Sequence, residues 1–261
     1  MYNLANLESA LAHTMFAGKL HYAPATASTN ADALAAARLG APHGSVYFAD
    51  EQTAGRGRGD HTWLSAAGDG LYVSILLRPQ LPASRLALLP LAAGLAAADA
   101  IRQVSGLEVD LRWPNDLLIG PKKTGGILVE AKSESKGLPH AVVGIGVNVH
   151  QREFPPNLAT PATSLDLASG RRLSRQTLLL ALLKFVERET CALADSAAAK
   201  VVLKRVEDAS TWIRGRKVEV HGPQACRGTT AGLDENGFLQ IETASGLVKV
   251  QTGGIRAAKN G

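Results

Sequence analysis

Two kinds of hydrophobic spacing alternate along the chain and predict an α+β fold. Short apolar runs bounded by Gly, Pro or Asn are typical of strands, and longer alanine- and leucine-rich stretches are typical of helices. Strands are predicted at 21–25, 44–50, 70–77, 108–113, 116–120, 125–134 and 140–149. Helices are predicted at 4–17, 31–40, 84–104, 174–193 and 197–209. Together these elements predict a mixed central sheet with flanking helices.

The spacing changes after Trp212. Short alternating runs are separated there by Gly, Asn-Gly or Ser-Gly turns, which are typical of antiparallel hairpins. About fifty residues of this kind predict a small β-barrel appended to the mixed domain. We therefore predict two domains, 1–212 and 213–261.

Several helix ends carry recognisable residues. Pro90 is expected to start or kink the long apolar helix, and Ser174 is expected to cap the next long helix. Ser28-Thr29-Asn30 precedes an alanine-rich helix, where Thr29 with Asp32 predicts a capping box. Taken alone, the triplet is therefore predicted to cap a helix.

Composition predicts a soluble protein with an anionic substrate or partner. The chain has 261 residues, 20% of them charged, and a net charge of +5 spread along its length, which does not demand nucleic acid. Cys191 and Cys226 form no metal-spaced cluster and no disulfide framework, which predicts a reducing cytoplasm. The N-terminus lacks a signal-peptide pattern. The richest apolar stretch, 86–101, is too short and too interrupted to span a bilayer.

The most informative segment is 51–79, in which Gly55-Arg56-Gly57-Arg58-Gly59 precedes an aromatic and apolar stretch. Glycine lets the backbone approach a ligand, and arginine offers a fork of donors to carboxylate or phosphate. A mobile cationic lid over an anion is one interpretation. The segment lacks the Gly-Lys-Ser/Thr of a P-loop, and Asp60 replaces the third glycine of a dinucleotide fingerprint. On spacing alone, an arginine–glycine tract that touches nucleic acid is slightly favoured.

Arg112-Trp113-Pro114-Asn115-Asp116 ends a predicted strand, because Pro114 cannot donate a ladder hydrogen bond. The Asn115-Asp116 pair is suited to coordinating Mg²⁺ or orienting a phosphate. An Asx turn that leads into the next strand explains the pair equally well.

Two glycine-lined strands follow. In 122–130, Lys122 is expected at a solvated hairpin tip, whereas Lys123 suits a phosphoryl or carboxylate oxygen. In 144–149, Asn148 lies on a central strand and needs a hydrogen-bond partner or a ligand.

The order of these motifs closely resembles that of the biotin protein ligases, which attach biotin to a carboxylase lysine. The resemblance runs from about Ser28 to Gly254. It rests on Ser-Thr-Asn, Gln-x-x-Gly-Arg-Gly-Arg, Arg-Trp-Pro-Asn-Asp, Lys-x-Gly-Gly-Ile-Leu-Val-Glu and Gly-Ile-Gly-Val-Asn in that order. It implies a class II synthetase-like catalytic fold with a C-terminal SH3-like β-barrel. It also implies that ATP, Mg²⁺ and biotin give biotinyl-5′-adenylate, which acylates a lysine of a biotin carboxyl carrier domain.

The same resemblance assigns residues to two ends of one site. Catalytic roles are implied for Lys123, Arg58 and Asp116. Biotin contacts are implied for Ser28, Thr29, Asn30, Gln52, Arg56, Gly57, Arg58, Lys123, Gly126 and Gly144. Nucleotide contacts are implied for Arg58, Asn115, Asp116, Lys123 and Asn148, with Asp116 as a candidate Mg²⁺ ligand. Carboxylate attack on a phosphate brings two anions together, so such a site needs preorganised positive charge.

The resemblance also implies positions for two tryptophans and shows departures from the family. Trp63 is expected to pack when the Gly-Arg loop is ordered, and Trp212 is expected in the core at the domain junction. Asp60 adds an anion after the Gly-Arg pair. Thr124-Gly125 replaces the apolar residue and alanine that are commoner before Gly126.

Only 27 residues precede Ser28, so a ligase without a DNA-binding winged helix is expected. We expect no specific nucleic acid and no membrane as partners, and a homodimer stays an open alternative. One rival function is a lipoate–protein ligase or lipoyl/octanoyl transferase of related fold. The other is a basic nucleic-acid-binding module, which the aromatic content of 5% disfavours.

Overall fold

The structure, a computed structural model, describes residues 2–59, 61–79, 81–132 and 140–258. Asp60 and the expected end of one strand, 133–134, lie outside these residues. The elements up to residue 148 are α1 (Leu4–Ala10), β1 (Leu20–Thr26), α2 (Thr29–Arg38), β2 (Ser45–Gln52), β3 (Gly70–Leu77), a 3₁₀ turn (Ala83–Leu88), α3 (Leu89–Ser105), β4 (Asp110–Arg112), β5 (Asp116–Ile119), β6 (Lys122–Lys132) and β7 (His140–Asn148). They are followed by α4 (Leu165–Ser169), α5 (Arg175–Ala192), α6 (Ser196–Asp208), β8 (Arg214–His221), β9 (Cys226–Leu233), β10 (Leu239–Thr243), β11 (Gly246–Val250) and β12 (Gly254–Ala257).

The first seven strands form one mixed sheet in the order β1-β2-β3-β7-β6-β5-β4. β1 and β2 are parallel, and the other neighbours are antiparallel. Successive strand residues face opposite sides of a sheet. Leu76 and Val142 pack against α2, whereas the residues beside them, Leu77 and Val143, belong to the core that includes α3 and α5. The sheet is therefore covered by α3 and α5 on one face and only partly by α2 on the other, as the α+β prediction requires.

The long apolar helix lies in the centre of the protein. The stretch Arg85–Ser105 has the length and composition of a membrane-spanning helix, which the interrupted sequence was not expected to provide. However, 72% of its most apolar window is buried inside the protein. Its interior Asp99 forms ion pairs with Arg102, Arg188 and Arg205 at 2.6–2.7 Å, so this carboxylate is neutralised within the fold.

The last five strands form a separate antiparallel sheet in the order β11-β10-β9-β8-β12. The predicted C-terminal β module is thereby confirmed, while the domain boundary at 212/213 stays a prediction. Val218 and Ile241 of this sheet belong to the same apolar cluster as the main core. Trp212 is 7% exposed and lies between the guanidinium groups of Arg112 and Arg216, at 5.2 and 3.7 Å from its ring centroid.

Local predictions failed at three places. α1 ends at Ala10 and is continued by turns, so the first helix is shorter than expected. The capping box at Thr29 and Asp32 is wrong: Ser28 is the N-cap residue, and the Asp32 carboxylate accepts from Thr26 Oγ1 at 2.7 Å. The short helix α4 was not predicted, because its five residues are too few to show a helical period.

Candidate functional site

A cavity of about 910 Å³ lies on the face of the central sheet that carries α2, and it extends to the C-terminal module. Every residue to which the sequence assigned a ligand role lines this one cavity. These residues are Ser28, Thr29, Asn30, Gln52, Arg56, Gly57, Arg58, Asn115, Asp116, Lys123, Gly126, Gly144 and Asn148. The glycine–arginine segment, residues 55–59, therefore borders the cavity, and Arg58 and Lys123 line the same cavity.

The cavity floor is formed by glycines that neighbouring strands bring into register. Gly126 on β6 pairs with Gly146 on β7, and Gly144 on β7 pairs with Ser74 on β3. Because residues two apart share a face, Gly144 and Gly146 open the same side of β7. A Cβ atom at Gly144 would lie 2.1 Å from Asn30 Oδ1, and one at Gly146 would lie 2.7 Å from the Trp63 ring. The glycines thus allow the side-chain amide of Asn30 and the indole ring of Trp63 to lie directly against the sheet backbone.

Lys123 reaches the cavity face through a β-bulge. The β5–β6 register shifts so that Leu117 pairs with Gly125 and Leu118 pairs with Lys123, which leaves Thr124 as the extra residue. A bulge re-aims the side chains that follow and precede it. Without the shift, Lys123 would lie on the same side of β6 as Gly125, which is the side that faces away from the cavity. With the shift, its ammonium lies beside Gly126 and Asp116.

One end of the cavity is a neutral polar wall formed by α2, β2 and β3. The Thr29 amide donates to Gln52 Oε1 at 2.9 Å, and Thr29 Oγ1 lies 2.7 Å from Ser74 Oγ. Ser74 Oγ donates to Asn30 Oδ1 at 2.5 Å, and Gln52 Nε2 donates to Ser65 Oγ at 2.8 Å. Helix α2 has no side-chain cap, so Gln52 satisfies one of its first amides. The Ser-Thr-Asn triplet therefore contributes to the cavity wall rather than to a capping box.

Arg56 is held against this wall by an acidic residue. Its NH2 atom forms an ion pair with Glu130 Oε2 at 2.7 Å, and the same oxygen accepts from Asn30 Nδ2 at 2.9 Å. A single carboxylate oxygen thus joins the glycine–arginine segment to the polar wall.

Arg58 faces the C-terminal module. Its guanidinium donates to the Gly253 carbonyl and, at 2.7 Å, to Thr252 Oγ1. Burial lowers the pKa of Arg58, although Asp116 acts in the opposite direction. The group remains charged at neutral pH because arginine titrates far above it.

Lys123 belongs to a compact group of charges. Its Nζ atom lies 2.5 Å from Asp116 Oδ1 and 5.5 Å from the centroid of the Trp63 ring. Arg112 donates to the other oxygen, Asp116 Oδ2, from Nε at 3.1 Å and from NH2 at 2.6 Å. Burial alone would raise the pKa of Asp116, but Lys123 and Arg112 outweigh it and hold the pKa below its usual value. Asp116 is therefore a fixed anion and a poor general base.

The two asparagines for which the family resemblance implies nucleotide contacts donate hydrogen bonds to backbone carbonyls. Asn115 Nδ2 donates to the Ile127 carbonyl at 2.9 Å, and Asn148 Nδ2 donates to the Thr163 carbonyl at 3.1 Å. Within the described ranges, no three His, Cys, Asp or Glu side chains group as a metal site. Since both oxygens of Asp116 are held by cations, this residue set does not fit a resident Mg²⁺ ion.

Trp63 lies on the glycine floor, as expected for an ordered loop. Its Nε1 atom is buried and lacks a hydrogen-bond partner in the part of the chain that the structure describes. A buried indole donor normally finds a partner, so this unsatisfied N–H group is an exception among the polar groups of the site.

Sequence reasoning missed several residues that complete the site. Ser74 was signalled by one hydroxyl within an otherwise apolar strand, and Glu130 by one acid after an apolar run. Arg112 was quoted within its motif without a role, although it contacts both Asp116 and Thr160. Residues of the C-terminal module also line the cavity, namely His221, Gly222, Pro223, Thr252, Gly253, Gly254, Ile255 and Arg256. Their distance along the chain left no local signal.

Comparison with known proteins gives a consistent result. Residues 22–148 match the model of the biotin/lipoate A/B protein ligase family. The bifunctional ligase/repressor BirA of Bacillus subtilis is 34% identical over 241 residues, which cover 90% of this chain and 73% of that protein. The biotin–(acetyl-CoA-carboxylase) ligase of Mycobacterium tuberculosis is 32% identical over 88% of this chain and 85% of that protein. The biotin protein ligase from Aquifex aeolicus, solved with biotin and ATP, is 31% identical with a TM-score of 0.79, covering 92% and 98% of the two chains.

Proposed function

Since this chain belongs to the biotin protein ligases, we propose that it activates biotin with ATP to biotinyl-5′-adenylate and transfers biotin to a lysine of a biotin carboxyl carrier domain. The observation that carries the proposal is that Lys123, Arg56 and Arg58 share one cavity with a neutral hydrogen-bonding wall. A wall of hydroxyl and amide groups suits a ureido ring, and the cations suit a carboxylate and phosphates. The relative from Mycobacterium tuberculosis and the solved structure from Aquifex aeolicus are named as biotin ligases, so the lipoate alternative is not favoured.

The two ends of the cavity are proposed to hold the two substrates in line. The biotin ring lies against Thr29, Asn30 and Gln52, and its carboxylate points along the glycine floor toward Lys123. The α-phosphate of ATP lies between Lys123 and Arg58. This arrangement holds the carboxylate and the α-phosphate side by side, and the positive charges of Lys123 and Arg58 offset the repulsion between these two anions.

Lys123 is proposed to stabilise the negative charge that develops as the carboxylate oxygen attacks phosphorus and pyrophosphate leaves. Asp116, which is itself held by Arg112, keeps the ammonium of Lys123 in place, so little reorganisation is needed during the reaction. Mg²⁺ is proposed to enter as the counter-ion of the triphosphate, as part of the nucleotide substrate. In the second step, the amine of the acceptor lysine attacks the mixed anhydride and AMP leaves.

The test is to incubate the purified protein with ATP, Mg²⁺, biotin and a carrier domain and to weigh the carrier. We expect the carrier to gain the mass of one biotinyl group only when ATP and biotin are both present. A carrier whose acceptor lysine is changed to arginine is the matched control and should gain nothing. A mass increase with lipoate but none with biotin would contradict the proposal.

A further inference from the structure

Glu130 lies outside the reacting groups, yet it contacts two parts of the site at once. It is on β6, and its Oε2 atom accepts from Asn30 Nδ2 at 2.9 Å and from Arg56 NH2 at 2.7 Å. The Glu130 side chain is 27% exposed, so it lies at the edge of the cavity rather than in the apolar core. We propose, resting on the proposed function, that Glu130 is a positioning residue that fixes the donor and acceptor pattern with which the wall recognises the biotin ring.

The argument begins with the amide of Asn30, which can face either way. A carboxylate only accepts hydrogen bonds, so Glu130 requires the amino group of Asn30 to face it. The amide oxygen then faces Ser74, whose hydroxyl donates to it at 2.5 Å. Asn30 also lies close against the sheet, because a Cβ atom at Gly144 would be only 2.1 Å from its Oδ1 atom.

The orientation of the Asn30 amide also sets the directions of the next hydrogen bonds in the wall. Ser74 has one proton and gives it to Asn30, so in the 2.7 Å contact Thr29 must donate to Ser74. Thr29 Oγ1 also lies 3.1 Å from Gln52 Oε1, the alternative acceptor for its proton, and Gln52 Oε1 still accepts the Thr29 amide at 2.9 Å when that proton goes to Ser74. Gln52 in turn gives an amino proton to Ser65. The direction of each hydrogen bond from Asn30 to Thr29 is therefore set by the carboxylate of Glu130.

Glu130 also fixes the glycine–arginine segment relative to this wall. Arg56 is 46% exposed and forms an ion pair with Glu130. Since one oxygen serves both Asn30 and Arg56, the orientation of the wall and the position of the segment are linked. The ring end of the substrate and the cationic segment above it are thereby organised by one acidic residue.

Glu130→Gln tests this role because it keeps the size of the side chain and removes its charge. A glutamine can donate to Asn30, so the Asn30 amide can reverse, and the protons of Ser74 and Thr29 reverse with it. We expect the KM for biotin to rise about tenfold with the KM for ATP nearly unchanged. Glu108→Gln removes the same charge from an exposed position and should leave both constants at the wild-type value.

Two analogues separate recognition of the ring from a general loss of binding. Desthiobiotin keeps the ureido ring, whereas 2-iminobiotin has an N–H group in place of the ureido oxygen. In Glu130→Gln the preference for biotin over 2-iminobiotin should fall about tenfold, while the preference over desthiobiotin should not change. Ser74→Ala interrupts the same chain of hydrogen bonds and should shift the same ratio, which keeps the test usable if Glu130→Gln folds poorly.

A double-mutant cycle completes the test. If Glu130 acts through Asn30, adding Glu130→Gln to Asn30→Ala should change the biotin KM less than twofold. The inference is overturned if Glu130→Gln keeps the wild-type KM and analogue preference, or if its full effect persists without Asn30. Biotin-dependent pyrophosphate release by the wild-type protein is measured in parallel. Its absence would refute the proposed function itself, whereas its presence with an unchanged Glu130→Gln variant would refute only this inference.

Discussion

At one end of the cavity, Thr29, Asn30, Gln52 and Ser74 hydrogen-bond to one another. At the other end, each cation rests on a group outside the wall: Lys123 on Asp116, and Arg58 on the C-terminal module. The wall is built on a helix and two strands and can accept a ligand without rearranging. The cations are positioned by partners that they can share with an incoming anion. The two ends therefore differ in how they are organised: the neutral end by hydrogen bonds among its own residues, and the cationic end by contacts with groups outside it.

The largest expected effect follows from removing the ammonium at the cationic end. Lys123→Ala should slow biotin-dependent pyrophosphate exchange about 10³-fold, because a preorganised charge at the reacting centre is lost. Thermal unfolding should change little, since Lys123 is only part-buried. The matched control is Lys122→Ala, an exposed neighbour that should exchange pyrophosphate at the wild-type rate. Full exchange activity in Lys123→Ala would remove the assigned role.

A smaller effect is expected from the second cation. Arg58→Ala should release the adenylate about 10–100-fold faster, because both the phosphate contact and the tie to Gly253 and Thr252 are lost. Rapid filtration of the complex with labelled adenylate measures this rate. Thr252→Ala removes only one tie and separates the two causes. If it released the adenylate as fast as Arg58→Ala, the effect would come from the C-terminal module rather than from the phosphate.

A steric change sharpens the comparison at the neutral end. Gly144→Ala places a methyl group 2.1 Å from Asn30 Oδ1, so Asn30 must leave the wall. We expect the KM for biotin to rise about tenfold with the KM for ATP unchanged. Gly94→Ala is the control: this glycine lies outside the cavity, and its added methyl group meets only Leu111 at 3.8 Å, an ordinary contact. Equal effects of the two substitutions would mean that the position of Asn30 does not matter.

The smallest effect concerns stability and appears on acidification. The pKa of Asp116 is lowered in the folded protein, so its carboxylate stabilises the fold above the unfolded pKa. This contribution is lost as the pH falls through the folded pKa. Asp116→Asn should therefore be less stable than the wild type near neutral pH, and the gap should narrow below pH ~4. Urea unfolding of both proteins at several pH values measures the gap. A gap that is constant with pH would contradict this linkage.

The sequence predicted the central sheet well because its strands are short apolar runs with clear boundaries. The residues that it assigned to a site line one cavity, because the motifs that carry them follow one another in a distinctive order. It failed at Thr29 and Asp32, where local capping chemistry competes with Gln52 and Ser74, residues that only the folded sheet brings near. The bulge at Thr124 could not be predicted either, since it depends on the register between β5 and β6.

Residues 252–256 line the cavity together with residues near the start of the chain. During synthesis, the polar wall and Lys123 leave the ribosome long before these last strands do. A nascent chain that already carries both therefore still lacks Gly253 and Thr252, the residues to which the Arg58 guanidinium donates. The cavity wall is thus completed only when translation reaches the last strand, β12 (Gly254–Ala257).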